Sequence, residues 1–193
     1  TYNKNEITKL TSGDGKGYYV PTGGISSGTG NTIQAHAVGH PASSFYVYQQ
    51  IYDANGNPIE GLYVDRNKDG VVNEKDKYVY KKAAPDVTIG FNTQLSWKAL
   101  TLAVSAHANI GNYVYDNISS NGELLTDLWT NNFTNNRVVT APQTNFRSSG
   151  QYLSDYYVRN ASFFKLDNIT LSYRFDLGKA ADRGLSLDLF GTV

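Results

Sequence analysis

The sequence predicts an all-β fold, as part of a large antiparallel transmembrane β-barrel with long loops between its strands. Apolar and polar residues alternate over 87–97 and again over 100–110, the two-residue period of a strand with two different faces. Turn-forming stretches flank this pair over 11–86 and 111–160, and loops of such length are uncommon in compact soluble domains. Short turns at one end of the strands and long loops at the other are typical of membrane barrels.

The first hairpin turns at Lys98–Ala99. One face of its first strand is apolar from Val87 to Trp97, whereas the other face carries small polar residues and a glycine. Aromatic residues sit where an interfacial girdle belongs. We expect this girdle to contain Trp97, Tyr173 and Phe175 at the short-turn end, and Tyr113 and Tyr115 at the long-loop end.

A second alternating pair covers 161–193, with a short link over 177–183 and apolar positions that include Ile169, Leu171 and Leu185. Before Ile169 the alternation slips, because Phe164 and Leu166 have the opposite parity. Such a slip indicates either a β-bulge or a change from a lipid-facing to an exposed strand.

Composition excludes several classes of function. The 193 residues have a formal net charge of +0 and no cysteine, which argues against nucleic-acid binding, disulfides and thiol chemistry. The sequence contains neither a hydrolase nor a phosphate-binding motif, so we expect no enzymatic activity. It lacks methionine, so we expect a piece of a longer protein. An apolar run of about 18 residues, the signal of a membrane helix, is also missing.

Two segments resemble a known family. The stretch from Gly39 to Phe91, and later YVRNASFFKLDNITLSYRF from Tyr157 to Phe175, are similar to the C-terminal barrel region of SusC/RagA-type, TonB-linked outer-membrane proteins. In the first segment the matching positions are Gly39, Pro41, Phe45, Tyr46, Tyr48, Gly61, Tyr63, Asp65, Asn67, Asp69, Gly70, Asp76, Pro85 and Gly90. Together the two segments cover 72 of the 193 residues.

The resemblance implies that residues 1–193 are a fragment of a C-terminal β-barrel domain of the TonB-dependent transporter type. We expect a strand over 1–10, an extracellular loop over 11–86, a hairpin over 87–110, a second extracellular loop over 111–160 and a truncated hairpin over 161–193. The plug and the TonB box have no counterpart here, so we expect the functional unit to include further residues.

The resemblance also implies a function. Such a protein lies in the outer membrane of a Gram-negative bacterium and imports oligosaccharides or peptides with a SusD-like surface lipoprotein, driven by TonB through a region absent here. The alternative from the pattern alone is a soluble, secreted, calcium-stabilised β-sandwich that binds glycans, in which the apolar stripes would pack on a second sheet.

One motif has metal-binding spacing. Positions 1, 3, 5, 6, 7, 9 and 12 of an EF-hand-type loop are matched by Asp65, Asn67, Asp69, Gly70, Val71, Asn73 and Asp76. We expect a structural Ca²⁺ site within 65–76, of weak affinity, about 10⁻⁴ to 10⁻³ M, because position 12 is aspartate. The alternative is an Asx-rich turn whose side chains cap their own backbone.

Other candidates are weaker. The loop aromatics Tyr46, Tyr48 and Trp129 could stack on a sugar ring or a peptide side chain, or fill the interior of folded loops. His36 and His40 are four apart, but flanking glycine and proline disfavour the helix that a metal pair would need. Residues 123–129 are predicted as a short loop helix.

Overall fold

The chain forms two compact units of β-structure. A computed structural model describes residues 1–10, 19–26, 30–130, 133–147, 151–178 and 187–193. The first, which we call the strand unit, consists of Thr1–Asn3, Pro85–Gly111 and Ser162–Val193. The second, the loop unit, consists of Lys4–Ala84 and Asn112–Ala161.

The described strands alternate with short helical turns only in the loop unit. The strands are β1 Tyr19–Gly24, β2 Thr32–Ala37, β3 Ser44–Val47, β4 Gln50–Tyr52, β5 Pro58–Tyr63, β6 Tyr78–Lys82, β7 Val87–Trp97, β8 Leu100–Ile110, β9 Tyr113–Tyr115, β10 Trp129–Thr130, β11 Phe133–Thr134, β12 Val158–Asn160, β13 Phe163–Phe175 and β14 Leu187–Thr192. The helices are α1 Asn117–Gly122 and α2 Ala141–Thr144, with 3₁₀ turns at Glu74–Asp76, Leu125–Leu128, Gln151–Leu153 and Asp155–Tyr157.

The strand unit is one antiparallel sheet in the order β14-β13-β8-β7. Strands β7 and β8 pair continuously from Val87 opposite Ile110 to Trp97 opposite Leu100, which leaves Lys98 and Ala99 as the turn. Lys98 has a φ of 53°, the left-handed conformation that tight hairpin turns require. The predicted hairpin over 87–110 is confirmed.

The slip in the alternation of β13 is a β-bulge. Leu166 pairs with Ala106 and Asn168 pairs with the adjacent Ser105, so Asp167 is the extra residue. The extra residue shifts the alternation by one position. The apolar side chains before and after the bulge therefore lie on the same face of the sheet. For the second hairpin, the link predicted over 177–183 and the apolar position Leu185 lie largely outside the described residues.

The strand predicted over 1–10 is wrong in its length. An isolated bridge joins Tyr2 to Val87, and Thr1 and Asn3 form backbone hydrogen bonds with Thr88 and Asp86. From residue 4 onward the chain belongs to the loop unit, where Ile7 forms backbone hydrogen bonds with Gly39 and His40. These bonds satisfy the backbone of Ile7, so a strand along β7 is not extended.

The two segments predicted as long loops fold together as the loop unit. Strands β1, β2, β3 and β6 form one sheet, and the pairs β4-β5, β9-β12 and β10-β11 form separate ladders. Side chains from 11–86 and 111–160 share one core. Its buried members are Ile33, Phe45, Val47 and Val158, with Ile25, Tyr78, Ala83, Tyr113, Tyr115 and Leu153 packed against them.

The helix predicted over 123–129 begins earlier. α1 covers Asn117–Gly122, and the predicted span contains only the 3₁₀ turn Leu125–Leu128. The carboxylate of Asp116 accepts hydrogen bonds from the backbone N–H and the hydroxyl of Ser119. This N-cap starts the helix ahead of the predicted position. No helix among the described residues is long and apolar enough to span a membrane.

Candidate functional site

The apolar face of the strand unit is uncovered. Side chains along it remain open, with Phe91 52% and Trp97 70% exposed, and large neighbours such as Leu95, Leu171 and Leu189 are similarly open. Within the strand unit as described, no second layer lies against this stripe. The β-sandwich alternative is therefore wrong, because it requires a dry interior there.

A continuous exposed apolar face of this kind suits hydrocarbon and not water. The opposite face is polar, and its side chains hydrogen-bond across strands, as between the hydroxyls of Ser96 and Thr101 and of Thr170 and Thr192. A sheet with one lipid-compatible face and one wet face defines the class of this chain, a segment of a transmembrane β-barrel.

The predicted aromatic girdle divides between the two units. Trp97, Tyr173 and Phe175 lie on the exposed apolar face near the hairpin end, with the Tyr173 and Phe175 rings 4.9 Å apart. Tyr113 and Tyr115 are instead half-buried against the core of the loop unit, so their assignment to a girdle is wrong. They belong to β9, which pairs with β12 within the loop unit.

The bulge places Asp167 beside His107 on the polar face. Asp167 Oδ2 lies 2.6 Å from His107 Nδ1, and Lys165 Nζ lies 3.9 Å from Asp167 Oδ1. The His107 ring meets Phe163 edge-on at 5.3 Å. His107 is therefore satisfied by neighbouring side chains. Bulges commonly re-aim a side chain in this way.

The predicted ion loop is organised by carboxylates that accept backbone N–H groups. Asp76 is fully buried and accepts from Asn73 at 2.8 Å, Asn67 at 3.2 Å and Arg66 at 2.9 Å. These hydrogen bonds, that from Asn73 foremost, hold the pKa of the Asp76 carboxyl below its usual value. Its side chain and that of Asn73 also form a reciprocal capping box.

Two further carboxylates of the predicted ion loop are also hydrogen-bonded. Asp65 accepts from the N–H groups of Lys68 at 2.6 Å and Gly70 at 2.8 Å, and Asp69 accepts from Val71 at 2.9 Å. Gly70 has a φ of 83°, which provides the sharp turn. Among the described residues, no group of three or more histidine, aspartate or glutamate side chains is arranged to hold a metal ion. The calcium site stays a prediction.

The predicted stacking aromatics occupy different environments. The Tyr46 ring stacks on Tyr19 at 4.2 Å and the Tyr48 ring on Tyr63 at 5.0 Å. Burial raises the pKa of both the Tyr46 and Tyr48 hydroxyls to about 12. Trp129, on β10, is 64% exposed. A stacking role stays a prediction for all three.

His36 and His40 do not lie on a helix, as the flanking glycine and proline predict. His36 lies in strand β2, and its Nδ1 accepts the backbone N–H of Ser43 at 3.1 Å. His40 lies beyond the end of β2, so the two histidines do not form the adjacent pair that a helix would present.

Sequence reasoning missed two buried polar clusters in the loop unit. In the first, Gln50 N donates to Asp155 Oδ1 at 3.0 Å, Tyr78 Oη donates to Asp155 Oδ2 at 2.8 Å, and Ser154 Oγ donates to Gln50 Oε1 at 2.9 Å. Burial raises the pKa of the Asp155 carboxyl. The partners are up to 105 residues apart, so no local pattern could have found them.

The second cluster is centred on Glu123, which is 1% exposed. Its Oε1 accepts hydrogen bonds from Thr140 Oγ1 at 2.7 Å and Tyr156 Oη at 3.1 Å. Its Oε2 is also buried. The carboxylate thus joins the end of α1, the start of α2 and the turn that contains Tyr156.

Comparison with known proteins agrees with this class. No family model matches the chain. The TonB-dependent receptor SusC of Bacteroides thetaiotaomicron is 47% identical over 178 residues, which cover 91% of this chain and 18% of that receptor. The TonB-dependent receptor P3 of Formosa agariphila is 26% identical, over 98% of this chain and 21% of that receptor. The chain thus spans only about a fifth of these relatives.

Solved structures share the fold. A structure of the RagAB peptide transporter matches 99% of this chain and 21% of its own with a TM-score of 0.69, at 21% sequence identity. A structure of the RagAB peptide importer in an open-open state matches the whole chain with a TM-score of 0.59. The chain belongs to the SusC/RagA family of TonB-dependent outer-membrane proteins, and its residues form part of the barrel.

Proposed function

We propose that the protein containing this chain is a TonB-dependent importer in the outer membrane of a Gram-negative bacterium. The observation that carries the proposal is the strand unit, whose uncovered apolar face suits lipid and whose opposite face suits a wet lumen. In this proposal residues 11–86 and 111–160 are extracellular loops, and transport is gated passage without bond chemistry.

The proposed substrate is an oligosaccharide, and the alternative is a peptide. Similarity to the SusC receptor supports the family-level expectation of oligosaccharides, whereas the fold shared with the RagAB peptide transporter supports the alternative. A SusD-like surface lipoprotein is the proposed partner at the cell surface. TonB would act through a part of the protein outside this chain.

We also propose a structural role for Ca²⁺ at residues 65–76. The support is the full register of oxygen-bearing side chains, together with the acceptor capacity of a carboxylate, whose two oxygens offer about four lone-pair positions. The N–H bonds to Asp65 and Asp69 therefore leave lone pairs for a cation. The ion would stabilise the segment that connects β5 to β6.

Import is tested with the full-length gene deleted from its host and restored on a plasmid. The restored strain should take up fluorescent oligosaccharides faster than the deletion strain, and a protonophore should abolish the difference because TonB draws on the proton gradient. Equal uptake of both the oligosaccharides and the peptides by the two strains would contradict an importer. Restored uptake that resists the protonophore would contradict TonB coupling. Uptake of fluorescent peptides alone would favour the alternative substrate.

A further inference from the structure

An aromatic ring and three polar side chains lie together on the polar face of the strand unit, near its long-loop end. Phe163 begins β13 and is 40% exposed, and its ring contacts the His107 ring edge-on at 5.3 Å. In the pairing of β13 with β8, Lys165 lies opposite His107, so these two side chains share one face of the sheet. β8 ends three residues later, at Ile110, so His107 lies about 10 Å from the long-loop end at about 3.3 Å per residue.

The carboxylate of Asp167 determines which nitrogen of His107 can bind a ligand. Asp167 Oδ2 lies 2.6 Å from His107 Nδ1. An ionised carboxylate only accepts hydrogen bonds, so the proton of the neutral ring is on Nδ1, and Nε2 is an acceptor. Within the described part of the chain, the hydrogen-bond partner of the His107 ring is Asp167, at Nδ1. Nε2 is therefore available to accept a hydrogen bond from a ligand.

Asp167 and Lys165 add a second acceptor and a donor beside His107. Lys165 Nζ lies 3.9 Å from Asp167 Oδ1, which is too long for a hydrogen bond, so both atoms keep capacity for a ligand. Both side chains are partly exposed. Their opposite charges are close together and largely cancel, so this group of side chains favours a neutral ligand over an anion or a cation.

Gly90 leaves open space next to His107. The two residues pair directly across β7 and β8, and a Cβ at position 90 would have no contact within 4 Å beyond its chain neighbours. A glycine inside a strand often marks a place where a ligand approaches the backbone closely, and a β-bulge often re-aims a side chain at a binding site. Both features meet at His107, since it pairs with Gly90 and contacts Asp167, the extra residue of the bulge.

The chemistry of these groups fits a neutral sugar. A phenyl ring offers an apolar face on which the C–H face of a pyranose packs. Each sugar hydroxyl both donates and accepts, so neighbouring hydroxyls of one sugar can donate to His107 Nε2 and Asp167 Oδ1 and accept from Lys165. An extended peptide is less suited, because its backbone offers one N–H donor in about 3.3 Å of chain.

We propose that an oligosaccharide subsite lies here on the wall of the lumen, formed by Gly90, His107, Phe163, Lys165 and Asp167. A sugar ring packs on Phe163 and against the bare backbone of Gly90, while its hydroxyls bind the polar groups. This inference rests on the proposed importer function, which assigns the polar face to the lumen, and it names residues that contact the substrate during passage.

The test uses the purified full-length protein in detergent, with calorimetric titration. The probes are linear hexasaccharides of glucose, xylose, mannose and galactose, and a pool of hexapeptides. With the hexasaccharide that binds best, Phe163→Ala should raise the Kd about tenfold, which corresponds to about 1.4 kcal/mol. Phe163→Trp should stay near the wild-type Kd, because it keeps an aromatic face. Phe164→Ala is the matched control, since Phe164 is the adjacent residue and points to the apolar face.

The polar groups are tested in the same titration. His107→Ala removes the Nε2 acceptor and should weaken binding. Asp167→Asn replaces an acceptor with a donor at nearly constant size and should also weaken binding. Asp188→Asn is its control and should leave the Kd unchanged, because the Asp188 carboxylate is paired with Arg174 at 2.8 Å near the short-turn end of the sheet.

A steric variant tests the open space next to His107. Gly90→Leu places a side chain there and should lower the affinity for the hexasaccharide. Ser96→Leu adds a side chain of the same kind to the same face near the short-turn end and should not.

The subsite is overturned by any of four results. These are that no hexasaccharide binds the wild-type protein, that Phe163→Ala and His107→Ala bind like wild type, that the control variants weaken binding equally, or that only peptide binding falls. Loss of the subsite would leave importer function intact when the wild-type gene still restores energy-dependent uptake. Failure of that uptake for both oligosaccharides and peptides would refute the importer itself.

Discussion

The substitution Phe91→Arg tests which face of the strand unit contacts lipid. Phe91 is the fifth of the 11 residues of β7, its ring is on the uncovered face, and it pairs with Ala106. An 11-residue strand at about 3.3 Å per residue and a tilt of about 45° rises about 26 Å, close to the apolar band of about 25 Å in such barrels. Position 91 is therefore near the middle of the bilayer.

The expected decrease in the free energy of unfolding follows from this depth in the bilayer. A lipid-facing arginine near the bilayer midplane destabilises a barrel by about 2–4 kcal/mol. Asn92 is the matched control, because it is the adjacent residue, pairs with Ser105 and points to the polar face. Phe91→Arg should therefore be less stable than Asn92→Arg by about 2–4 kcal/mol.

The assay is urea unfolding of the full-length protein refolded in phosphatidylcholine vesicles, followed by tryptophan fluorescence. The pair Leu95→Arg and Gln94→Arg repeats the comparison closer to the end of the strand, where the difference should be smaller. Equal destabilisation by Phe91→Arg and Asn92→Arg would refute the assignment of faces. A larger destabilisation by Asn92→Arg than by Phe91→Arg would mean that the polar face lies in the apolar environment, which contradicts the assignment.

Three further predictions concern the loop unit. Tyr156→Phe removes a hydroxyl donor from the buried Glu123 carboxylate, so hydrogen exchange in α1 should accelerate by an amount equivalent to about 1.5–3 kcal/mol, and unchanged exchange would contradict this. The folded-state pKa of Asp76 is lowered, so its stabilising contribution is present above the unfolded pKa, about 3.9, and is lost as pH falls through the folded value. Asp76→Asn should therefore be less resistant to proteolysis than wild type at pH 7, with a gap that narrows at acidic pH; a constant gap would refute the linkage. Calcium should raise the Tm of wild type but not that of Asp69→Ala, and the calcium site fails if neither protein responds.

The strand sheet was predictable because its pattern is local. Alternation along β7 and β8 separates the two faces with no knowledge of the partner strand, and the turn at Lys98–Ala99 falls where the two patterns meet. The pattern also contained the parity slip before Ile169. Pairing with β8 then identified Asp167 as the extra residue and placed it beside His107.

The interior of the loop unit was not predictable in the same way. Asp155 meets Gln50 and Tyr78 across 105 and 77 residues of chain, and no spacing in the sequence links them. The strand predicted over 1–10 failed for a related reason. Residues 1–3 pair with β7, but Ile7 forms backbone hydrogen bonds with Gly39, which is distant in the sequence.

The candidate sites divide along the same line. The spacing from Asp65 to Asp76 identified the loop, because the acceptors and the N–H groups they bind are at most ten residues apart. Tyr46 and Tyr48 could not be separated from Tyr52 and Tyr80 by sequence. All four are tyrosines in turn-rich segments, and only the structure shows that the first two rings stack on Tyr19 and Tyr63.

By itself, the sequence determined the all-β class, the apolar and polar faces of the sheet, and the spacing of the oxygen-bearing side chains in the 65–76 loop. Each of these depends on residues a few positions apart, where backbone geometry dictates which side chains share a face. Tertiary structure alone decided which tyrosine rings stack on other rings, which carboxylates are buried, and that the segments 11–86 and 111–160 form one folded unit. Those properties depend on contacts between residues distant in the chain, and their free energy is set by packing and desolvation rather than by local spacing.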